Sequence, residues 1–325
     1  GLIIQPFILS ILMSGYNLDK KLVIGLASSA LFDLAQSDAV FRNEGELAYR
    51  EYQRKNENKP LESGVAFPFI KRLLGINSIF PKENPFVEVI LLSRNDPDTG
   101  FRVLNSIEFY KLDIKRSIFL QGRQPHQYID ALNISLFLSA NETDVQEAIA
   151  SDKPAGLILK GFNTLKDDIT DDDELRVAFD FDGVIADDAS EKIYKKENLD
   201  KFIENESKLA QQPTNEGPLK RLLTQLSNLQ DFELKYQKDN PTYKPRLRIS
   251  IVTARNAPAH KRVINTMRYW GINTLNEAFF LGGIEKKKVL QILNPHIFFD
   301  DQKGHLEPSI EHIACVHIPF GVANK

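Results

Sequence analysis

The sequence predicts an α/β chain of two doubly wound domains related by an internal duplication, with a small helical cap inserted in the second. Three observations carry this expectation: the length, an ordered self-similarity, and short apolar runs that alternate with helical patterns. The 325 residues exceed the usual size of one core and suit two domains of roughly 150 residues each. Leu22–Leu31 aligns with Leu175–Val184 at an offset of 153 residues, and the same offset pairs Ser37 with Ser190, Phe41 with Tyr194 and Tyr49 with Phe202. Lys71–Leu74 then matches Lys220–Leu223. At an offset of 161, Arg94–Pro97 matches Arg255–Pro258, Phe119–Gly122 matches Phe280–Gly283, and Leu132, Asn133 and Phe137 match Leu293, Asn294 and Phe298. So many ordered matches at nearly constant spacing read as a repeat of one structural unit.

The elements follow in order. Residues 1–20 form an N-terminal extension. Its first twelve residues are apolar but have no basic region or small-residue cleavage site, so they make a poor signal peptide, and they are too short to span a membrane. Met13, which precedes Ser14 and Gly15, is expected to be the biological start, because the recognisable pattern begins near Lys21. The first domain, 21–165, has apolar runs at Leu22–Leu26, Val87–Leu92, Ser117–Leu120 and Leu136–Leu138. The second, 175–325, has their counterparts at Arg176–Phe179, Arg248–Val252, Ala278–Leu281 and Ile297–Phe299. Continuous runs of Val, Ile and Phe between helical stretches predict buried parallel strands. The acidic segment 166–174 between the domains reads as a solvated linker; a calcium loop there would need a glycine and oxygen-ligand spacing that it lacks. The stretch of about 187–244 is too long for a loop and predicts the cap. Tyr194, Phe202 and Tyr243 within it suit stacking on a base or, as is commoner at helical spacing, core packing.

Composition narrows the classes of function. A net charge of −3 with no basic cluster argues against a nucleic-acid partner, and no segment predicts a membrane partner. The single cysteine, Cys315, excludes an internal disulfide and a multi-cysteine zinc site, which fits a cytoplasmic setting. The six histidines show no close ligand spacing, and none is assigned to a metal. Nothing in the composition speaks against an oligomer.

Chemistry concentrates in the second half. The strand ending at Phe179 runs into Asp180-Phe181-Asp182-Gly183, and open α/β sheets bind ligands at the carboxyl ends of their strands. One carboxylate of such a pair can attack phosphorus while its neighbour moves a proton, although D-x-D-G by itself is also a common turn. Its first glycine stands at the fourth position, which excludes an EF-hand loop. Later features supply context. A strand ends at Thr253, whose hydroxyl can hold a phosphate oxygen, and Ala254, Arg255 and Asn256 continue the loop. Lys286 follows a Gly-Gly turn after another strand and can neutralise phosphate charge. Asp300 and Asp301 end the strand Ile297–Phe299, and acids at two strand ends can share one Mg²⁺. The bland alternatives are a strand cap for Thr253, a solvated helix charge for Lys286 and a loop pair for Asp300 and Asp301.

This ordered set resembles the haloacid dehalogenase-like phosphohydrolases. The phrases SSALFD, GVAFPFIKRLL, LNSIEFY, VTARNAP and PHIFFDDQ resemble the cytosolic 5′-nucleotidase I family over roughly residues 20 to 320. The resemblance implies two haloacid dehalogenase-like (Rossmannoid) domains and a Mg²⁺-dependent hydrolysis of nucleoside 5′-monophosphates, AMP foremost. It also implies the roles: Asp180 as nucleophile, Asp182 as general acid/base, Thr253 and Lys286 holding the phosphoryl group. Mg²⁺ would be held by Asp180, the Asp182 carbonyl and Asp300, with Asp301 as an outer partner, and Gly183, Ala254, Arg255 and Asn256 would line the substrate. Members of that family read F-D-G-D-A-V where this chain reads Phe179-Asp180-Phe181-Asp182-Gly183-Val184; both acids persist, and base preference is the property the change touches. A phosphatase for sugar phosphates or other small esters, and a nucleotide-binding regulator, are the rival readings.

The first half has lost these groups. By the repeat, Asp180 faces Ala27, Asp182 faces Ser29, Thr253 faces Leu92, Lys286 faces Pro125, and Asp300 and Asp301 face Ser139 and Ala140. That half is therefore expected not to catalyse. It keeps Ser28, Ser29, Ser93, Arg94, Asn95 and Arg123 at its strand ends, so Ser29 and Asn95 are candidates for holding part of the nucleotide or an effector nucleotide, unless the half only braces its partner.

Overall fold

Ten strands among the described residues form one mixed sheet. The structure is a computed structural model that describes residues 16–161 and 172–324; the expected start at Met13, the apolar stretch before it and linker residues 166–171 lie outside the described residues. In the first half the strands are β1 (Leu22–Leu26), β2 (Val87–Ser93), β3 (Arg116–Phe119), β4 (Leu136–Ser139) and β5 (Ala155–Ile158). In the second they are β6 (Leu175–Phe179), β7 (Leu247–Thr253), β8 (Glu277–Phe280), β9 (Ile297–Asp300) and β10 (Cys315–His317). The order across the sheet is β3-β2-β1-β4-β5-β10-β9-β6-β7-β8. Each half thus repeats one order, and the two copies meet edge to edge.

Eight of the ten strands coincide, within a residue or two at each end, with the apolar runs of the sequence. They do so because β1, β2, β4 and β9 are buried along their whole length, and a strand covered on both faces has no polar alternation. The remaining pair, β5 and β10, joins the halves. Every other pairing is parallel, whereas β10 runs antiparallel to β5 with Val316 opposite Ile158. Gly156 permits the join, since a Cβ there would stand 2.4 Å from Val316 Cγ1. The two doubly wound units of the sequence reading share one continuous sheet.

The core follows the sheet. Alternate residues of β1 and β6, including Leu22, Ile24, Val177 and Phe179, belong to one apolar cluster spanning both halves, while Val23 and Ala178 face two smaller clusters on the other side. The inserts after β1 and β6 differ in how much of them joins this core. The stretch 187–244, expected to be a cap, divides into three helices: α6 (Ala189–Lys196), α7 (Leu199–Lys208) and α8 (Lys220–Asp239). Helix α8 buries Leu222, Leu223, Leu226 and Leu229 in the shared core, so only α6 and α7 stand clear of the sheet. Linker residues 172–174 are not merely solvated: Asp172 pairs with Arg72 and Arg176, and Glu174 with Arg176 and Arg248. Among the described residues no helix is long and apolar enough to cross a membrane.

Candidate active site

The carboxyl ends of β6, β7 and β9 are neighbours in the sheet, so their terminal residues converge at one edge. Asp180 follows β6, Thr253 ends β7, and Asp300 ends β9 with Asp301 behind it. Lys286 opens α10 (Lys286–Leu293), and its chain reaches back over the strand ends. Its ammonium stands 2.9 Å from Asp180 Oδ2 and 2.7 Å from Asp300 Oδ2. Asp180, Asp300 and Lys286 are all buried. Burying charge without partners costs several kcal/mol per ion, and this triangle persists because each group answers another. Lys286 is therefore neither solvated nor a simple helix charge.

His305, in the short helix α11 (Lys303–Leu306), completes the cluster. Its Nδ1 lies 3.1 Å and 3.2 Å from the two Asp300 oxygens. One ligand atom each from Asp180, Asp300 and His305 fall within 4.8 Å of one another. Spacing in the sequence pointed to no histidine; His305 stands near the acids because a single turn follows Asp300.

The electrostatics favour a cation. Burial raises the Asp180 carboxyl to about 7, with Asp300 adding to the rise and Lys286 opposing it. Burial would also raise Asp300, but Lys286 and His305 hold it below the ordinary aspartate range. Burial pushes Asp301 up to about 9, and the charges of Asp180 and Asp300 add to this. Both Asp301 side-chain oxygens are buried without a hydrogen-bond partner, while its backbone carbonyl accepts from Asn324 Nδ2 at 2.9 Å. The cluster therefore gathers three aspartates around one ammonium and one imidazole, with unanswered oxygens inside. Such a donor set fits a hard divalent cation.

Asp301 gives a test of this electrostatic reading. A carboxyl whose folded pKa is raised stays protonated in the metal-free protein while the unfolded chain ionises freely from about pH 4 upward. Stability is therefore lost as pH rises from about 4 towards 9. Asp301→Asn removes that loss, so its Tm should exceed the wild type by several degrees at pH 8 and by little at pH 4.5, measured by calorimetry with a chelator present.

Asp182 is held separately. Arg255 Nε and Nη2 donate to its two oxygens, each at 2.7 Å. The third nitrogen of the same guanidinium, Nη1, donates to Glu206 on α7. Glu206 is wholly buried and also accepts from Arg262 Nη1 at 2.8 Å and Ser190 Oγ at 2.7 Å. Burial would raise the Glu206 carboxyl, but Arg255, Ser190 and Arg262 hold it below the ordinary glutamate range. The Arg255 guanidinium also lies 5.1 Å from the Phe181 ring and 5.6 Å from that of Phe202. Gly183 has φ +73°, and a Cβ there would stand 2.4 Å from Asp301 Oδ2, so glycine is what lets the Asp182 turn close on Asp301.

The other expected residues divide by position. Ala254 and Asn256 are exposed beside the strand ends. Arg255, expected to touch substrate, is instead buried between Asp182 and Glu206. Phe202 packs edge-on against Tyr194 at 6.1 Å. Tyr243 is remote: it bonds Glu233, whose carboxylate takes the N–H groups of Arg246 and Leu247 at the opposite end of β7 from Thr253.

Ser29 and Asn95 belong to the first half, where they line a cavity of ≈ 430 Å³. Strand registers correct one equivalence. Thr253 pairs with Phe280 as Ser93 pairs with Phe119, so Ser93, not Leu92, occupies the threonine position. The apparent offset came from the following loops, whose matching Arg-Asn-x-Pro phrases lie one residue out of step with the strands.

A comparison with protein families matches residues 14–325 to the 5′-nucleotidase family. The chain is 36% identical over 293 residues to human cytosolic 5′-nucleotidase 1B, a match covering 89% of this chain and 47% of the relative. The chain thus spans about half the length of the curated relative it matches. No solved structure matches the chain.

Proposed function

The chain belongs to the 5′-nucleotidase family, and from that membership we propose that it is a phosphoric monoester hydrolase acting on nucleoside 5′-monophosphates, AMP foremost. The observation that carries this reading is the meeting of Asp180, Asp300 and Lys286 at one strand edge with Asp182 two residues beyond. In this reading each half is a haloacid dehalogenase-like unit from an internal duplication, α6 and α7 form the cap, and only the second half catalyses.

Asp180 Oδ attacks phosphorus as the bond from phosphorus to the 5′ oxygen breaks, leaving an aspartyl-phosphate. Asp182 gives a proton to the departing 5′ oxygen and takes one from the water that then attacks the phosphoryl group. Thr253 and Lys286 hold the phosphoryl oxygens in place of water, and Gly183, Ala254 and Asn256 border the entering ester. Asp180, the Asp182 carbonyl and Asp300 would hold Mg²⁺, with Asp301 behind them; the ion would screen the phosphate charge from the aspartates. Arg255 aims Asp182 rather than binding substrate directly. A cytosolic setting, taken from the relative's printed name, belongs to the same proposal.

A substrate panel tests it. Phosphate release should be fastest with AMP among nucleoside 5′-monophosphates, slower with a sugar phosphate by at least tenfold, and lost on chelation and restored by Mg²⁺. Equal or faster release from the sugar phosphate would replace the nucleotidase reading by that of a general small-ester phosphatase.

A further inference from the structure

The first half holds a copy of the site in which the counterparts of Asp180, Asp182, Arg255 and Asp300 are neutral. The backbone frame is the same in both. Ala27 N donates to Leu138 O at 2.9 Å as Asp180 N donates to Phe299 O at 2.8 Å. Asn95 N donates to Ser93 Oγ as Arg255 N donates to Thr253 Oγ1, both at 3.2 Å. Asn141 N donates to Ser139 Oγ at 3.0 Å as Gln302 N donates to Asp300 Oδ1 at 2.8 Å. Even the link from insert to loop recurs: Tyr49 on α2 (Ala35–Lys55) donates to Asn95 Oδ1 at 2.9 Å, where Glu206 holds Arg255. On this common frame Asp180, Asp182, Arg255 and Asp300 are replaced by Ala27, Ser29, Asn95 and Ser139. The space between them is the cavity of ≈ 430 Å³, within the roughly 300–1,000 Å³ of small-molecule sites.

We propose that this cavity binds a neutral, hydroxyl-rich ligand of nucleoside size and leaves it unchanged. The charge balance selects the class. Arg94 and Asp144 on the wall pair with each other, and Asp33, Asp38 and Lys160 leave a net negative charge. A phosphate dianion entering there would meet Lys160 but also the carboxylates of Asp33 and Asp38, so the attraction it gains does not offset the hydration it loses. Hydroxyl and amide groups such as Ser28, Ser29, Asn95 and Asn141 instead match sugar hydroxyls and base edges, and Phe32 and Tyr49 provide apolar wall. A nucleoside, rather than another polyol, rests on the nucleotidase reading.

The test titrates the full chain with adenosine and with inorganic phosphate by calorimetry, in the wild type, in Asp180→Asn and in Ala140→Leu, which adds bulk to the lining of the cavity. Adenosine binding should persist in Asp180→Asn and in excess phosphate, and weaken at least tenfold in Ala140→Leu. Should Ala140→Leu melt early, Asn95→Ala, which removes the amide without adding bulk, is read the same way. Adenosine binding that phosphate displaces, that Asp180→Asn abolishes, or that neither first-half variant changes would overturn the proposal. Phosphate release from AMP by the same wild-type preparation is recorded alongside, so that an inactive enzyme counts against the nucleotidase reading and not against the cavity.

Discussion

Asp180→Asn should lower phosphate release from AMP by on the order of 10⁴-fold or more, the scale of losing a nucleophile that acts as a unit with its partners. The amide cannot attack phosphorus, and Lys286 keeps only one of its two carboxylates. The fold should not suffer. Burial raises the Asp180 carboxyl, so a neutral side chain of the same shape relieves a desolvation cost in the metal-free protein, and Lys286 still reaches Asp300 at 2.7 Å. The variant should therefore be inactive at an unchanged or higher Tm, read by phosphate release and calorimetry on one preparation. An inactive variant that has also lost several degrees would point to a structural role for Asp180.

The second large effect concerns Arg255. Its guanidinium is the sole bridge seen between Asp182 and the α6–α7 insert among the described hydrogen bonds. Arg255→Ala leaves Glu206 buried with Arg262, Ser190 and Asn205 as its remaining side-chain partners. Breaking a buried pair from one side costs about 3–5 kcal/mol, and the retained Arg262 contact places this case near the lower figure, about 3 kcal/mol. Asp182 also loses its aim, for a fall in kcat of roughly 10²–10⁴, the range of one general acid–base contribution. Urea unfolding and steady-state kinetics separate the two effects. Arg255→Lys should recover part of the stability and little of kcat, because an ammonium cannot make the planar fork to both Asp182 oxygens. A lysine variant with wild-type kcat would show that the fork does not orient Asp182.

How much of this was legible in the sequence follows from burial. Strands covered on both faces announce themselves as apolar runs, and strand ends that carry Asp, Thr or Asp-Asp stand out against them. β5 is not legible because Gly156 interrupts the short run Ala155–Ile158 and reads as a breaker, and β10 because Cys315–His317 is only three residues long. The continuous sheet was therefore not foreseen. The length of helix α8 suits either the cap or the core; Leu222, Leu223, Leu226 and Leu229 decide for the core. Glu206 did leave a signal. On α7 it follows Leu199 and Phe202 and precedes Leu209 at spacings of three and four, so a carboxylate sits on the stripe that should be apolar, the mark of a buried charge awaiting a cation. His305 had no such mark, since five residues of chain can place a side chain anywhere.

The claim on which the rest depends is that a single covalent centre lies at the end of β6. Acid quench during turnover of AMP, reduction with borohydride and mass spectrometry of the peptides would locate it. Asp180 alone should be converted to homoserine, with the peptide that carries Ala27 and Ser29 unmodified. Reduction at another aspartate, or steady turnover with no residue converted, would contradict it.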